Sequence, residues 1–188
     1  LFQGFEQFSN ELGEYSKGVK GHARLWANMS ALTEFLPSAL ALFLKENPEI
    51  QIEVEEQISG DIVRALLDGI ADIGVFAEGS PTAGLETQII GNDELVIACS
   101  KYHPLSKKKN ITFEECLDYD FVGLNRGSSL LELTSRSAEK LGRQMRLRIQ
   151  VRSYDAMCQM IAVNLGIGVL PLQACLAQIQ AMKDRKST

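Results

Sequence analysis

The chain has 188 residues, of which 45% are hydrophobic and 23% charged, with a formal net charge of −5. This composition is typical of a globular protein that buries a core in one or two domains, and it excludes an intrinsically disordered chain. No stretch approaches the roughly 18 uninterrupted apolar residues of a membrane-spanning helix, and no secretory signal is visible, so we expect no membrane association.

The charge is distributed unevenly along the chain. Residues 101–152 hold eleven Lys and Arg against six Asp and Glu, whereas the rest of the chain holds eight basic and eighteen acidic residues. A middle segment of opposite sign to its flanks suggests an inserted lobe. Its basic excess suits an anionic ligand, an acidic lobe of a second subunit, or a merely solvated surface, and the sequence does not separate these.

The chain start predicts a tag and the end of a helix. Leu1–Gly4 is typical of the tail of a cleaved expression tag and is left out of the fold prediction. Apolar residues then recur at steps of three and four over Phe5–Ser16, which predicts a helix that Gly18 stops.

A first α/β lobe follows. Residues 23–28 predict a short strand, and after a turn over residues 29–31 a single amphipathic helix is expected to run to about Lys45. Pro37 is tolerated only in the first turn of that helix, because proline lacks the N–H that an interior position donates. This places the helix start near Thr33.

The next elements complete a parallel lobe. Alternation over Ile50–Glu56 predicts a strand with Ile50, Ile52 and Val54 on its inward face. Ser59 then serves as a plausible N-cap of a second helix with Ile62, Val63, Leu66, Leu67 and Ile70 inward. A strand follows over Ala71–Phe76. Strands and helices alternating at this spacing predict parallel strands with right-handed crossovers.

A second lobe repeats the pattern after an extended segment over Leu85–Ser100. Its predicted elements are a short helix at Phe113–Leu117, a strand at Asp120–Leu124, a turn at Asn125–Ser129, a helix containing Leu130–Leu141, a strand at Arg146–Arg152, a helix at Tyr154–Leu165 and a strand at Ile167–Leu170. Extended crossings near Leu95–Ser100 and Gly168–Leu172 would link the lobes into a hinged cleft.

The cysteines and histidines point away from metal and redox chemistry. Cys99, Cys116, Cys158 and Cys175 form no CxxC pair, and only two histidines are present. Three of the four cysteines lie in apolar runs, where a thiol behaves as a small buried hydrophobe more often than as a redox sensor. We therefore expect no metal, and a reducing, cytoplasmic location. The absence of GxSxG, Walker and HExxH motifs argues against an enzyme.

Six segments carry a resemblance to a known family. In chain order they are KGVKGHARLWANMSALTEFLP, ENPEIQIEVEEQ, DGIADIGVF, ELVIACSKYHPL, FVGLNRGSSL and VRSYDAMCQMIAVNLGIGVLPLQA. No single segment is decisive, but their order and spacing from about Tyr15 to Gln173 resemble the effector-binding domain of LysR-type transcriptional regulators.

The resemblance implies an α/β fold of two Rossmann-like lobes joined by two crossover strands, similar to type II periplasmic binding proteins. Residues 5–19 would be the end of the linker helix, 20–97 the first part of lobe I, 98–168 lobe II and 169–188 an incomplete return to lobe I. It also implies a homodimer or homotetramer, no cofactor, and DNA contact only through an N-terminal winged helix-turn-helix that is not in this sequence.

The resemblance further implies a small-molecule effector, an organic anion among the candidates, bound between the lobes by loops that follow strands. The residues that match this site are Asn28, Ser30, Ala31 and Ser59 in lobe I and Arg126, Gly127, Ser128, Ser129, Tyr154 and Asp155 in lobe II. A carboxylate near the helix N-termini there would gain up to ~1–2 kcal/mol, and Arg126 would add a bidentate contact.

Alternatives stay open for these residues. The three serines at helix starts could be ordinary N-caps, Asp155 could be a helix cap, and Arg126 a solvated surface charge. A stand-alone solute-binding protein of the same fold is the alternative function. The effector's identity and the choice between activator and repressor are not fixed by the sequence.

Overall fold

Strands and helices alternate through this computed structural model, which describes residues 12–13, 21–82 and 84–184. Contacts divide the chain into two compact units, Leu1–Asn92 and Asp93–Thr188. The predicted tag and linker helix lie outside the described residues, apart from Leu12 and Gly13, which are helical.

The first unit contains a parallel sheet. Its strands are β1 (His22–Ala27), β2 (Gln51–Glu56) and β3 (Ile73–Val75) in the order β2-β1-β3, and both pairs are parallel as predicted. Parallel neighbours need crossover connections, and helices between the strands supply them. The alternating residues Ala23, Leu25 and Ala27 of β1 are buried.

The prediction of a single helix after β1 is wrong, because two helices occupy this segment. α1 (Met29–Glu34) and α2 (Leu36–Glu46) are separated at Phe35, whose φ of −129° is not helical. Pro37 lies in the first turn of α2. A proline ring clashes with the carbonyl four residues earlier in a continuous helix, so the chain breaks and restarts just before it.

Helix α3 (Ser59–Leu67) packs against β1 and β3 through Ile62 and Val63, which are buried. The predicted inward face was wrong for three other positions, since Val54, Leu67 and Ile70 are exposed. Within the described strands β2 is at the edge of its sheet, so α3 does not cover Val54.

The second unit contains two small sheets. β4 (Leu95–Ala98) pairs antiparallel with β7 (Gly168–Pro171), and β5 (Asp120–Leu124) pairs parallel with β6 (Arg146–Val151). Ile167 forms a parallel bridge to Phe121, which brings the start of β7 beside β5. Only Leu95–Ala98 of the extended segment predicted over residues 85–100 is a strand.

Helices cover these strands. The helical segments are a 3-10 helix (Pro104–Lys107), α4 (Phe113–Cys116), α5 (Ser129–Lys140), α6 (Tyr154–Ala162) and α7 (Leu172–Asp184). Phe121 and Ile167 are fully buried at the centre of one core cluster of this unit. The segment 169–188, predicted as a return to lobe I, groups with the second unit, because β7 pairs with β4 and α7 packs on α6.

Helix α6 ends three residues before its predicted end at Leu165. Asn164 adopts a left-handed conformation with φ of 64°, and the N–H of Leu165 donates to the carbonyl of Met160 at 3.2 Å. This pattern closes the last carbonyls of the helix, a task more often given to glycine.

Candidate functional site

Asn28 organises the carboxyl end of β1 in the first unit. Its side-chain oxygen accepts a hydrogen bond from the N–H of Ala31 at 3.0 Å, which makes Asn28 the N-cap of α1. Its own N–H donates to the carbonyl of Val75 at 2.9 Å, so the cap is also tied to the end of β3. The predicted site residue Asn28 therefore has a structural role at this position.

Ser30 and Ala31 follow inside the first turn of α1. Ser30 is half-buried and Ala31 buried, and because Asn28 already holds the N–H of Ala31, that N–H is satisfied within the protein. Ser30 is not the N-cap of α1, which removes the simplest structural explanation for its hydroxyl.

Ser59 lies at the same edge of the sheet but does not cap α3. The N-cap position is Ile58, and Ser59 is the first helical residue. Its buried hydroxyl accepts a hydrogen bond from the N–H of Ala77 at 3.1 Å, just beyond β3. The predicted N-cap is thus wrong, because the orphan donor nearest the hydroxyl belongs to another segment of the chain.

Gln57 was missed by the sequence prediction. Its N–H donates to the carbonyl of Ala27 at 3.1 Å, which brings it beside the end of β1 and close in sequence to Ser59. Its side-chain amide donates to Glu55 at 2.7 Å. A signal existed, because a polar residue directly after a parallel strand lies at the edge where ligands bind in α/β sheets.

In the second unit the turn after β5 brings the predicted residues together. The N–H of Asn125 donates to the carbonyl of Val151 at 2.9 Å, and the N–H of Ser128 donates to the carbonyl of Asn125 at 3.2 Å. Gly127 has a φ of 88°, which glycine adopts without strain. The turn therefore delivers the chain directly into the first turn of α5.

Ser128 is the N-cap residue of α5, yet its hydroxyl makes no capping hydrogen bond. Ser128 and Ser129 are half-buried and Arg126 is exposed. Among the described residues Arg126 forms no ion pair. The hydroxyl of Ser128 is consequently free of the capping role that the sequence left open for it. The exposed guanidinium of Arg126 agrees with the solvated surface charge that was its alternative.

Helix α6 begins beside this turn, and its cap is not a predicted residue. Ser153 accepts a hydrogen bond from the N–H of Ala156 at 3.2 Å and is the N-cap. Tyr154 and Asp155, predicted to cap the helix, occupy its first two positions instead. Tyr154 is buried, and the exposed Asp155 accepts from the Gln159 amide at 2.9 Å.

The two turns present hydroxyls, helix-start N–H groups and the Arg126 guanidinium. No three His, Cys, Asp or Glu side chains of the described segments lie together as a metal site would need. His103 is buried, its Nδ1 accepts from the N–H of Leu105 at 3.2 Å, and burial lowers its pKa. The helices within residues 12–13, 21–82 and 84–184 all lack the length and apolarity of a membrane span.

Comparison with known proteins decides the family. The family model described as the LysR substrate binding domain matches residues 16–183, which is most of the chain. The chain belongs to this family. Curated relatives of this LysR substrate binding domain are named as transcriptional regulators.

Two curated relatives illustrate the match. The probable RuBisCO transcriptional regulator of Trieres chinensis is 27% identical over 183 residues, covering 93% of this chain and 59% of the relative. The uncharacterized HTH-type transcriptional regulator YbhD of Escherichia coli K12 is 22% identical over 171 residues, covering 91% and 54%. The LysR substrate binding domain thus spans somewhat over half the length of these relatives.

Solved structures confirm the predicted α/β fold class. The effector binding domain of QuiR in complex with shikimate superposes with a TM-score of 0.73 at 20% identity, covering 81% of this chain and 74% of that one. The CcmR regulatory domain of Synechocystis PCC6803 in complex with 2-PG gives 0.72 at 24% identity, covering 81% and 73%.

Proposed function

We propose that this LysR substrate binding domain is the effector-sensing part of a cytoplasmic transcription regulator, with DNA binding supplied by another segment of the full-length protein. The family match over residues 16–183 carries the proposal. The naming of both curated relatives as transcriptional regulators supports the regulator over a stand-alone solute-binding protein.

The effector is a small molecule that is bound and not converted. Support comes from the hydroxyl of Ser128, which caps nothing, and from Ser30 in the first turn of α1. Helix starts expose N–H groups that no intrahelical carbonyl can satisfy, and they accept anionic groups readily. Neither turn presents a nucleophile hydrogen-bonded to a base, which acyl or phosphoryl chemistry would require.

The proposed contacts in the first unit are Asn28, Ser30, Ala31 and Ser59. Those in the second unit are Arg126, Gly127, Ser128, Ser129, Tyr154 and Asp155. QuiR with shikimate and CcmR with 2-PG make small molecules of this size the first ligands to test. One effector held by both lobes, with a hinge movement as its output, stays a prediction.

Signalling needs a difference in affinity. A ligand shifts a conformational equilibrium only by binding one state more tightly than the other, whatever its absolute affinity. We propose that the full-length regulator assembles as a homodimer or homotetramer, so that a shift in this domain changes the spacing of its DNA-binding parts. Light scattering of the full-length protein with and without 1 M salt tests the assembly and its charge dependence.

Calorimetric titration of the purified chain tests the binding function. A metabolite panel that includes shikimate and 2-PG is screened by thermal shift, and hits are titrated into the native chain and the Ser30→Ala and Ser128→Ala variants. We expect both variants to fold and to bind more weakly. Unchanged affinity in both variants would contradict the assignment of Ser30 and Ser128 to the binding site. Chemical conversion of the bound compound would contradict a function of binding alone.

A further inference from the structure

Five arginines of the second unit lie on the strands β5 and β6 or a few residues from their ends. Three of them form ion pairs with two aspartates near the start of β5. The Arg143 guanidinium lies 2.7 Å from Oδ1 of Asp118. Arg146 lies 3.3 Å from Oδ1 of Asp120, and Arg148 lies 3.3 Å from Oδ2 of the same carboxylate. Arg146 also donates to the carbonyl of Asp118. Each of these three cations therefore has a carboxylate partner within the fold, although Arg146 and Arg148 share one.

Arg126 and Arg152 stand at the opposite, carboxyl end of the same strands. Leu124, the last residue of β5, is paired with Val151, the last residue of β6, so the two arginines follow neighbouring strand ends. The hydrogen bond from the N–H of Asn125 to the carbonyl of Val151 holds these two chain segments side by side. Both arginines are exposed, and within the described part of the chain neither forms an ion pair.

Two carboxylates, Asp155 and Glu132, lie in the helix starts that follow these strands, but neither forms an ion pair with Arg126 or Arg152 among the described residues. Asp155 lies in the first turn of α6 and accepts a hydrogen bond from the Gln159 amide, and Glu132 lies in the first turn of α5. An anion at this edge is thus not attracted by net charge alone. It gains affinity through direct, bidentate contact with guanidinium groups, whose fork of N–H donors matches carboxylate and phosphate oxygens.

We propose that Arg126 and Arg152 act as a pair that selects effectors with two negative charges, such as a dicarboxylate or a phosphate monoester, over singly charged ones. This inference rests on the proposed function and names the chemical class of its ligand. Arg152 is a specificity-determining residue that the sequence prediction did not include. Because the two residues follow paired strand ends, one ligand with two negative charges can engage both cations, whereas a ligand with one charge can engage only one of them fully.

Matched pairs of small anions test the proposal on the 188-residue chain. Succinate is compared with butyrate, and phosphoglycolate with glycolate, at constant ionic strength by thermal shift and calorimetry. We expect the doubly charged member of at least one pair to bind at least about tenfold more tightly, since a hydrogen bond to a charged group contributes about 1.5–3 kcal/mol. Equal binding by both members of each pair overturns the proposal.

Substitutions separate this pair from general electrostatics. Arg152→Gln and Arg126→Gln should each weaken the dianion about tenfold and leave the monoanion nearly unchanged. Arg148→Gln removes the same charge from the opposite end of the strands and should leave dianion affinity intact. Equal losses of dianion affinity in all three variants would show a nonspecific charge effect and would overturn the proposal that Arg126 and Arg152 act as a pair. Thermal unfolding of each variant checks that the exposed substitutions leave the fold unaltered.

The result also distinguishes this inference from the proposed function. If a neutral or singly charged compound binds in a manner that depends on Ser30 and Ser128 but not on the arginines, effector sensing stands and the selection of dianions fails. If a dianion binds through Arg126 and Arg152, both stand. If no compound binds, both are overturned.

Discussion

The hydroxyl of Ser59 accepts a hydrogen bond from the backbone N–H of Ala77 at 3.1 Å, which ties the first residue of α3 to the segment just after β3. Ser59 is buried, so the N–H of Ala77 has a protein partner in place of water. A buried donor without a partner is costly, which gives this single bond a large effect on stability.

Ser59→Ala should therefore lower the free energy of unfolding by about 1 kcal/mol, because the half-buried N–H of Ala77 loses its partner and is only partly rehydrated. Urea denaturation of the ligand-free chain measures the change. Ser38→Ala, at an exposed helical position, is the matched control and should change stability by less than about 0.5 kcal/mol. Equal, small effects of both substitutions would show that the Ser59 bond is unimportant to folding.

Arg24 and Asp72 form the tightest ion pair of the first unit's described residues. The guanidinium donates to both carboxylate oxygens, at 2.8 and 3.1 Å, and the N–H of Arg24 donates to the same group at 2.8 Å. The Asp72 side chain is 11% exposed and the Arg24 side chain 39% exposed. We expect Asp72→Ala to cost about 2–3 kcal/mol, below the 3–5 kcal/mol of a fully buried pair because Arg24 remains partly hydrated.

A double-mutant cycle over Arg24 and Asp72 measures how much of that cost belongs to the pair. The exposed pair Arg64–Asp61, at 3.2 Å and three residues apart on one helix, is the comparison. Its coupling should be about 0.3–0.5 kcal/mol. A coupling free energy of similar size for Arg24 and Asp72 would contradict the larger stabilisation that we expect from this ion pair.

Ser128 and Ser153 allow ligand binding and helix capping to be separated. Both are N-cap residues, but only Ser153 makes a side-chain capping bond, to the N–H of Ala156. Ser153→Ala should cost about 1 kcal/mol of stability. Ser128→Ala should cost close to nothing and should act on effector affinity alone. A full capping cost at Ser128 would favour its structural role.

The sequence predicted the order of the elements because their signals are local. Alternation over residues 50–56 located β2, and the segment ending at Leu124 was correctly predicted as the strand β5. The spacing of apolar residues does not show, however, how much of an apolar face the neighbouring elements cover. For this reason Val54 and Leu67, which are exposed, were wrongly predicted to face inward.

The site residues were harder to predict because their partners are distant or because two candidates compete. Ser59 bonds to Ala77, 18 residues away, and no local pattern reveals such a pair. Asn28 and Ser30 are both residue types that favour an N-cap, and the bond from the Ala31 N–H to the Asn28 side-chain oxygen decides between them. The turn from Asn125 to Ser128 was placed correctly because Gly127 and the preceding strand are strong local signals.

Asn164 should respond to substitution through its backbone conformation. Its φ of 64° is a left-handed value that costs an ordinary residue about 1–2 kcal/mol. Asn164→Ala should therefore destabilise the chain, whereas Asn164→Gly should be neutral or stabilising. The exposed Gln173→Ala, in α7, serves as the control. Denaturation midpoints give the order, and a more stable alanine than glycine variant would contradict the C-cap.

Two buried thiols should make the second unit less stable at alkaline pH. Burial raises the pKa of Cys116 and of Cys158 to about 11, above the 9.0 of an exposed thiol. Below pH 9 these thiols are neutral in both the folded and the unfolded chain. Between pH 9 and pH 11 the unfolded chain loses their protons first, so the free energy of unfolding falls as the pH rises.

Urea denaturation from pH 8 to pH 10.5 measures this decline, and the Cys116→Ala/Cys158→Ala double variant isolates its source. The ion pair between Lys108 and Glu115 remains in the variant, so any loss of that pair at high pH is common to both proteins. We expect the variant to have the shallower decline, since it lacks the two thiols with the largest rise in pKa, while Cys99, Cys175 and Lys108 are common to both proteins. Parallel declines would mean that both thiols ionise as easily in the folded chain as in the unfolded one, and would contradict the raised pKa of the buried thiols.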